Sequence, residues 1–170
     1  MRLKQLDEWR RDLPQGVIED RLSQVKKLFD NAVGEHSGEI FSDPLGRYPE
    51  SYLASFSSPR DAMQAAVNLM KTLSKASHGL PKEGVGAACA INSGEIVERN
   101  QQPMGRALDI VSRLEFRAET GQILFTESAL LSVKELSLPY RLLLRKIGEE
   151  TGPEMQAFEL DWTGVKDGES

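Results

Sequence analysis

The sequence has few of the residues that build cross-linked or metal-bound scaffolds. Its 170 residues include one cysteine, Cys89, and two histidines, His36 and His78, which lie far apart in the chain. A single cysteine excludes an internal disulfide framework, and two isolated histidines lack the spacing of a structural zinc site. We therefore expect an ordinary hydrophobic core and a reducing, cytoplasmic location.

A long apolar run and an excess of basic residues are also missing. No stretch approaches the roughly 18 consecutive apolar residues that cross a bilayer, and the N-terminal residues contain no apolar signal core. The chain has 21 lysines and arginines against 26 aspartates and glutamates, which gives a net charge of -5. We therefore expect neither membrane insertion nor a nucleic-acid partner.

The length of the chain is that of one domain with a sizeable core. Apolar residues recur at near-helical spacing in residues 2–13, and Pro14, Gln15 and Gly16 then interrupt the pattern. This predicts a detachable helical extension at residues 1–16, a main domain at residues 17–162 and a frayed tail at residues 163–170.

Three longer segments have the apolar periodicity of amphipathic helices. The first begins near Val17 and ends near Gly34, because glycine commonly stops a helix. The second begins after Ser58, since a serine cap followed by Pro59 favours a helix start. The third begins near Ala107 and ends near residue 120.

Short apolar or alternating segments between these helices predict strands. Residues 39–41 and 51–56 form a first hairpin in this interpretation, and the small residues of GVGAACAIN pair with residues 95–97 as a second. The remaining predicted elements are strands at residues 122–126, 141–145 and 155–160 and a short helix at residues 127–133. This order predicts an α+β sandwich with a mainly antiparallel sheet and helices packed on it.

Five of these segments occur together in one known family. They are EHSGEIF, YPESYLASF, DAMQAAVNLM, VGAACAINSGEIV and MGRALDIVSRLEFRAETGQILFTESAL. Their order and spacing resemble a class III nucleotidyl cyclase homology domain, the catalytic module of adenylyl and guanylyl cyclases. The resemblance covers about residues 17–160, and the last two segments are its most specific part.

The resemblance implies a ferredoxin-like α+β core that dimerises head to tail. Each of two nucleotide sites at the interface then takes two metal-binding aspartates from one subunit, and an asparagine and an arginine from the other. Two divalent cations activate the ribose hydroxyl and hold the triphosphate, while the arginine offsets charge on the transferred phosphoryl group. Mg²⁺ or Mn²⁺ with ATP or GTP is therefore expected only if the cleft is retained, and otherwise no cofactor is expected.

The family's functional positions are only partly kept in this sequence. Arg113 stands at the position of the arginine, but Asp109 replaces the asparagine and Glu50 replaces the second metal aspartate. The family's first strand has no counterpart before Val17, so we expect the first metal carboxylate to be missing. The resemblance places the remaining nucleotide-contacting positions on Gln102, Gly105 and Arg106.

These candidates also have purely structural interpretations. Four charged residues share one face of the third helix, which either binds anions at a dimer interface or is a solvated stripe with a local ion pair. Glu50 and the nearby Asp43 either bind a hard cation or are solvated acids of a loop. The residues of the helix face are Arg106, Asp109, Arg113 and Arg117.

We expect a catalytically degenerate cyclase-like domain that dimerises and acts as a regulatory or signalling module. Its expected partner is a second copy of the chain, in a homodimer, or a cyclase-like or signalling protein. Two alternatives stay open: a subunit that lends Arg113 to a complete cyclase partner, and a nucleotide-binding sensor. Inactivity is favoured over enzyme activity, because phosphoryl transfer with two metals needs the metal ligands.

Overall fold

The computed structural model describes residues 1–41, 50–75, 78–99, 102–144 and 156–164. In these residues the α-helices are α1 (Leu6–Asp12), α2 (Gln15–Glu35), α3 (Pro59–Ser74), α4 (Arg106–Arg117) and α5 (Leu130–Glu135). A 3-10 turn at Glu127–Ala129 leads into α5. No helix in this part of the chain is long and apolar enough to cross a lipid bilayer.

The strands assemble into one main sheet and two small ones. In chain order they are β1 (Arg2–Leu3), β2 (Glu39–Phe41), β3 (Leu53–Ser55), β4 (Ala87–Ile91), β5 (Val97–Arg99), β6 (Gln102–Met104), β7 (Ile123–Thr126), β8 (Tyr140–Leu144) and β9 (Ala157–Leu160). The main sheet has the order β1-β4-β7-β9-β8, in which only β4 and β7 are parallel. Strands β2 and β3 form one separate antiparallel pair, and β5 and β6 form another. The predicted α+β class with a mainly antiparallel sheet is confirmed.

Helices cover both faces of the main sheet. Alternate residues of a strand point to opposite faces, and along β4 Cys89 and Ile91 belong to the large core cluster, which includes residues of α2 and α3. Ala88 belongs to a smaller cluster on the other face, where it packs with Leu114 of α4. We call these the α2/α3 face and the α4 face.

Helices α3 and α2 begin or end close to the residues that the sequence predicts. The Ser58 hydroxyl oxygen accepts a hydrogen bond from the Arg60 amide at 3.1 Å, and Pro59 occupies the first helical position of α3. This serine satisfies one of the amide groups that a helix start leaves without a partner. Helix α2 ends at Glu35, one residue after the glycine that the sequence analysis chose.

The prediction of one helix over residues 2–13 is wrong, and so is the prediction that no strand precedes Val17. Arg2 and Leu3 form β1, which pairs antiparallel with β4, and α1 begins only at Leu6. Leu3 and Leu6 are three residues apart, which a helical periodicity also produces, so the pattern did not reveal the strand. Residues 1–16 thus supply an edge strand and buried side chains of the large core cluster, including Trp9.

The predicted hairpin between β4 and residues 95–97 is also wrong. The Asn92 side chain donates to the Ala107 carbonyl at 3.0 Å and accepts from the Thr126 hydroxyl at 2.7 Å, so the chain leaves the main sheet there. Val97–Arg99 form β5, which pairs with β6 instead of β4. A Cβ atom added to Gly94 would lie only 3.0 Å from the Ala107 Cβ, so the chain passes close to α4 here.

Some predicted features lie outside the described residues. These are Asp43, the outer ends of the last two predicted strands at residues 145 and 155, and the tail beyond Gly164.

The burial of Leu3 predicts that β1 is necessary for stability. Leu3 is 3% exposed, and its replacement by alanine leaves a cavity in the large core cluster. We expect Leu3→Ala to lower the free energy of unfolding by about 2–5 kcal/mol in urea titration. Val17→Ala is the control, because Val17 is 39% exposed and its truncation is expected to change stability by less than about 0.5 kcal/mol. Equal effects of the two variants contradict the placement of β1 in the core.

Candidate functional site

Helix α4 exposes the charged face that the sequence predicts. Arg106, Asp109, Arg113 and Arg117 are all exposed, and Leu114 on the opposite side is completely buried. The helix is amphipathic because apolar and charged positions recur with a period of three to four residues. The arginine and acidic positions implied by the resemblance are therefore open to solvent in the single chain.

The turn before α4 depends on a glycine. Gly105 has a φ of +131°, a backbone conformation that side chains disfavour, and a Cβ there lies 3.3 Å from the Glu95 carbonyl oxygen. Gln102 in β6 and Arg106 at the start of α4 are both exposed. The three nucleotide-contacting candidates thus follow one another along the turn from β6 into α4.

Glu50, the candidate metal ligand, is held by a cation of the protein itself. The Arg2 guanidinium lies 3.0 Å from the Glu50 carboxylate, and both side chains are only about one seventh exposed, at 16% and 14%. The same guanidinium lies over the Phe116 ring at 5.4 Å from its centroid. Arg2 therefore connects the segment before β3 to α4, on the α4 face of the sheet.

A second acid lies close to this pair. Glu115 of α4 accepts a hydrogen bond from the Ser51 hydroxyl at 3.0 Å, and its backbone carbonyl accepts one from the Lys4 ammonium at 3.1 Å. Burial lowers the pKa of Lys4, the nearby Arg2 charge lowers it further, and the Glu115 charge opposes both. The side chains of Arg2 and Lys4, in and just after β1, thus both contact α4.

Arg2, Lys4 and Glu115 are not among the site residues predicted from the sequence. The signal that reveals the first two is the alternation of charged and apolar residues from Arg2 to Lys4, which is typical of a strand with one buried face. No sequence pattern marks Glu115, because on α4 it lies between the charged face and the apolar face of the helix.

The described residues do not fit a centre of two divalent cations. Hard cations in proteins take several oxygen ligands, but no group of three acidic, histidine or cysteine side chains converges in the part of the chain that the structure describes. The carboxylate of Glu50 already has a guanidinium within hydrogen-bond distance, and β1 carries no acidic residue.

Comparison with solved structures relates this arrangement to known proteins. An adenylate cyclase from Trypanosoma brucei, solved in its monomeric state, matches 99% of this chain and 88% of its own with a TM-score of 0.78 and 13% identity. The fold is that of a nucleotide cyclase domain. An adenylate/guanylate cyclase/hydrolase from Silicibacter pomeroyi is 22% identical over 84% of this chain and 81% of its own, with a TM-score of 0.66.

A third cyclase structure contains a nucleotide. The guanylate cyclase domain of RhGC from Catenaria anguillulae, in complex with GTP, covers 94% of this chain and 91% of its own with a TM-score of 0.72 and 12% identity. No protein-family profile and no curated protein matches the chain. The cyclase resemblance of the sequence is thus confirmed at the level of the fold, and residue roles within that fold stay predictions.

The Arg2–Glu50 pair predicts a measurable coupling energy. In a double-mutant cycle with Arg2→Met and Glu50→Gln, we expect a coupling of about 1–2 kcal/mol in the free energy of unfolding, because both side chains are shielded from water. The pair of Arg10 and Asp7 is the control, since its side chains are 52% and 98% exposed and its expected coupling is below about 0.5 kcal/mol. Coupling of Arg2 and Glu50 no larger than that of the control contradicts the pairing.

Proposed function

We propose that this chain is a catalytically degenerate nucleotide cyclase-like domain that acts as a dimerising regulatory or signalling module. The observation that carries the proposal is the Arg2–Glu50 pair, in which the protein's own cation occupies the carboxylate at the family's metal position. The fold supports the relationship to cyclases, and the side chains present argue against the chemistry.

Without ligands for two metal ions, the reaction of the cyclases has no basis. Transfer with two metals needs carboxylates to hold cations that activate the attacking hydroxyl and neutralise the triphosphate. Glu50 is neutralised by Arg2, and the exposed Asp109 adds a negative charge at the position of a neutral amide. A carboxylate there repels an approaching triphosphate, even though three arginines lie on the same helix face.

Exposed apolar side chains on the small β5–β6 sheet support dimerisation. Val97 and Met104 lie directly opposite each other in the register of this sheet and are 54% and 52% exposed. A cross-strand pair of apolar residues in water is typical of a surface that another protein covers. A symmetric dimer through this hairpin and the outward face of α4 buries that pair.

The absence of cyclase chemistry is directly testable. With ATP or GTP and either Mg²⁺ or Mn²⁺, we expect no cyclic nucleotide above the buffer blank in a chromatographic assay, because no group of three acidic, histidine or cysteine side chains that could hold a metal ion forms among the described residues. A complete cyclase domain assayed beside it is the positive control. Metal-dependent product that disappears in Arg113→Ala would falsify the degenerate assignment.

Two exposed apolar residues in different elements, Met104 in β6 and Leu131 in α5, test whether the chain dimerises through the β5–β6 sheet. In light scattering at about 100 μM we expect a dimer, which Met104→Glu dissociates because the substitution puts a charge in the contact. Leu131→Glu is the control, since Leu131 is 69% exposed and lies on α5, which is not part of the β5–β6 sheet. A wild-type monomer, or equal dissociation by both substitutions, contradicts the proposed interface.

A further inference from the structure

The outward face of α4 carries one straight row of four side chains. The members of the row are separated by three, four and three residues, and all are exposed: Arg106, Asp109, Arg113 and Phe116. This alternation keeps side chains in line along a helix, and it is the spacing at which two helices pack side by side. Leu114, on the opposite side, is completely buried. We call the row the α4 seam.

Phe116 lies at the C-terminal end of the α4 seam. At 71% exposure it is the most exposed large apolar side chain among the described residues. The Arg2 guanidinium lies over one side of the ring, at 5.4 Å from its centroid, and the rest of the ring faces water. Burial of an aromatic ring against a partner is favourable, and aromatic and arginine side chains are enriched in protein contacts. A partner that lies along the seam covers this ring.

Asp109 supplies the carboxylate of the α4 seam. Among the described residues, no ion pair or hydrogen bond joins this carboxylate to another side chain. Arg113 follows one helical turn later. It has a contact within its own chain, and its guanidinium carries several N–H donors that serve more than one acceptor. The seam therefore presents two groups of opposite charge, one turn apart, to a partner that lies along it.

A second copy of the helix matches this charge pattern in one orientation. When two copies lie parallel, each residue meets its own copy, so Asp109 meets a carboxylate, Arg113 meets a guanidinium, and both contacts are repulsive. When they lie antiparallel about a two-fold axis at the level of Val111, residues equally far before and after Val111 face each other. Asp109 of each copy then faces Arg113 of the other, and two pairs of opposite charge form at once.

The ends of the α4 seam match in the same orientation. Arg106 and Phe116 are equally far from Val111, so the Arg106 guanidinium of one copy faces the Phe116 ring of the other, which is a favourable cation–π contact. Helices that pack side by side have axes about 8–10 Å apart, and the facing side chains span that distance. Arg117 is exposed beside the seam, and its long side chain can extend into water away from the second copy. One position of the axis therefore gives every member of the seam a favourable contact.

The same arrangement is continuous with the exposed β5–β6 sheet. Strand β6 ends at Met104, and Gly105 is the cap at the start of α4, so this sheet lies at the N-terminal end of the helix. Helix α4 has 12 residues and is about 18 Å long. In the antiparallel pair, the β5–β6 sheet of each copy therefore lies beside the C-terminal end of the other α4, where Phe116 is.

We propose that two copies of this chain recognise each other through antiparallel α4 helices, with Asp109 of each copy bound to Arg113 of the other. This inference rests on the dimer of the proposed function and adds the residues that select the second copy and its orientation. Arg113 is then held by a carboxylate of the second copy. The pair thus uses for self-recognition the position at which the cyclase resemblance expects an arginine for a phosphoryl group.

Two charge reversals test the pairing. Asp109→Arg sets two arginines against each other in the dimer, and Arg113→Asp sets two aspartates against each other. Each single variant is expected to raise the Kd of the dimer at least about tenfold in sedimentation equilibrium, because two attractive pairs become two repulsive ones. An equimolar mixture of the two variants restores both pairs of opposite charge, so we expect a heterodimer with a Kd within about threefold of the wild type.

Mixing separates a contact between copies from a contact within one helix. Asp109 and Arg113 are four residues apart and can also attract each other within a chain, but a second chain cannot restore that attraction. Arg117→Asp is the matched control, since it makes the same charge change on the same face, one turn further from Asp109. Its mixture with Asp109→Arg is expected to bind at least about fivefold more weakly than the mixture with Arg113→Asp. Far-UV circular dichroism checks that each variant is folded.

Phe116 supplies a second test of the position of the axis. Phe116→Ala is expected to raise the Kd of the dimer at least about fivefold, because its ring faces Arg106 of the other copy. Leu131→Ala is the control, since Leu131 is 69% exposed on α5, outside the α4 seam. Equal effects of the two substitutions overturn the arrangement, because the axis that pairs the opposite charges also brings Phe116 to Arg106.

The outcomes distinguish this inference from the proposed function. A wild-type chain that is monomeric at about 100 μM contradicts the dimer itself, and the inference fails with it. A wild-type dimer whose single variants are not rescued by mixing, or are rescued equally well by Arg117→Asp, overturns the α4 seam as the contact and leaves the proposed dimer standing. Rescue by the matching pair alone supports the seam.

Discussion

The burial of β4 on both of its faces is the constraint on which the rest of the structure depends. Ala87, Ala88 and Cys89 are almost completely buried, and their small side chains let helices approach the sheet from both sides. Because β4 also lies between β1 and β7, it contacts a strand on each side as well as the helices on each face of the sheet. A larger residue at one of these positions forces either α3 or α4 away from the sheet.

This central strand determines where the charges of the first residues lie. Pairing of Arg2 with Ala88 places the guanidinium on the α4 face, between Glu50 and the Phe116 ring. A divalent cation there competes with the Arg2 guanidinium for the Glu50 carboxylate, which supports the proposal of a cyclase fold without its metal chemistry. Fold and chemistry can separate because packing depends on the core and the reaction on a few side chains.

The sequence predicts most of the fold, because its longer helices and inner strands have clear periodicity or caps. Ser58 and Pro59 predict the start of α3, and the apolar run before Thr126 predicts β7. The misplaced elements have a common cause, which is that strand pairing is non-local. Nothing in residues 2–3 shows that β4 needs an edge partner, and nothing in residues 95–97 shows that Asn92 turns the chain away from the sheet.

The residues of the candidate site were likewise predicted where they depend on local spacing and missed where they depend on non-local pairing. The exposed charged face of α4 was predicted, because it depends on spacing within one helix. The Arg2–Glu50 pair was not predicted, because its members are 48 residues apart and meet only when β1 enters the sheet. The cyclase resemblance predicts a ligand position at Glu50, and the structure shows the Arg2 guanidinium beside that carboxylate.

Anomalous diffraction from crystals grown with Mn²⁺ and a non-hydrolysable nucleoside triphosphate tests the central claim most directly. The account predicts the Arg2 guanidinium within hydrogen-bond distance of the Glu50 carboxylate, with no anomalous peak at that carboxylate. A Mn²⁺ peak coordinated by Glu50, with Arg2 displaced from it, would show that the site retains its metal chemistry and would contradict the account.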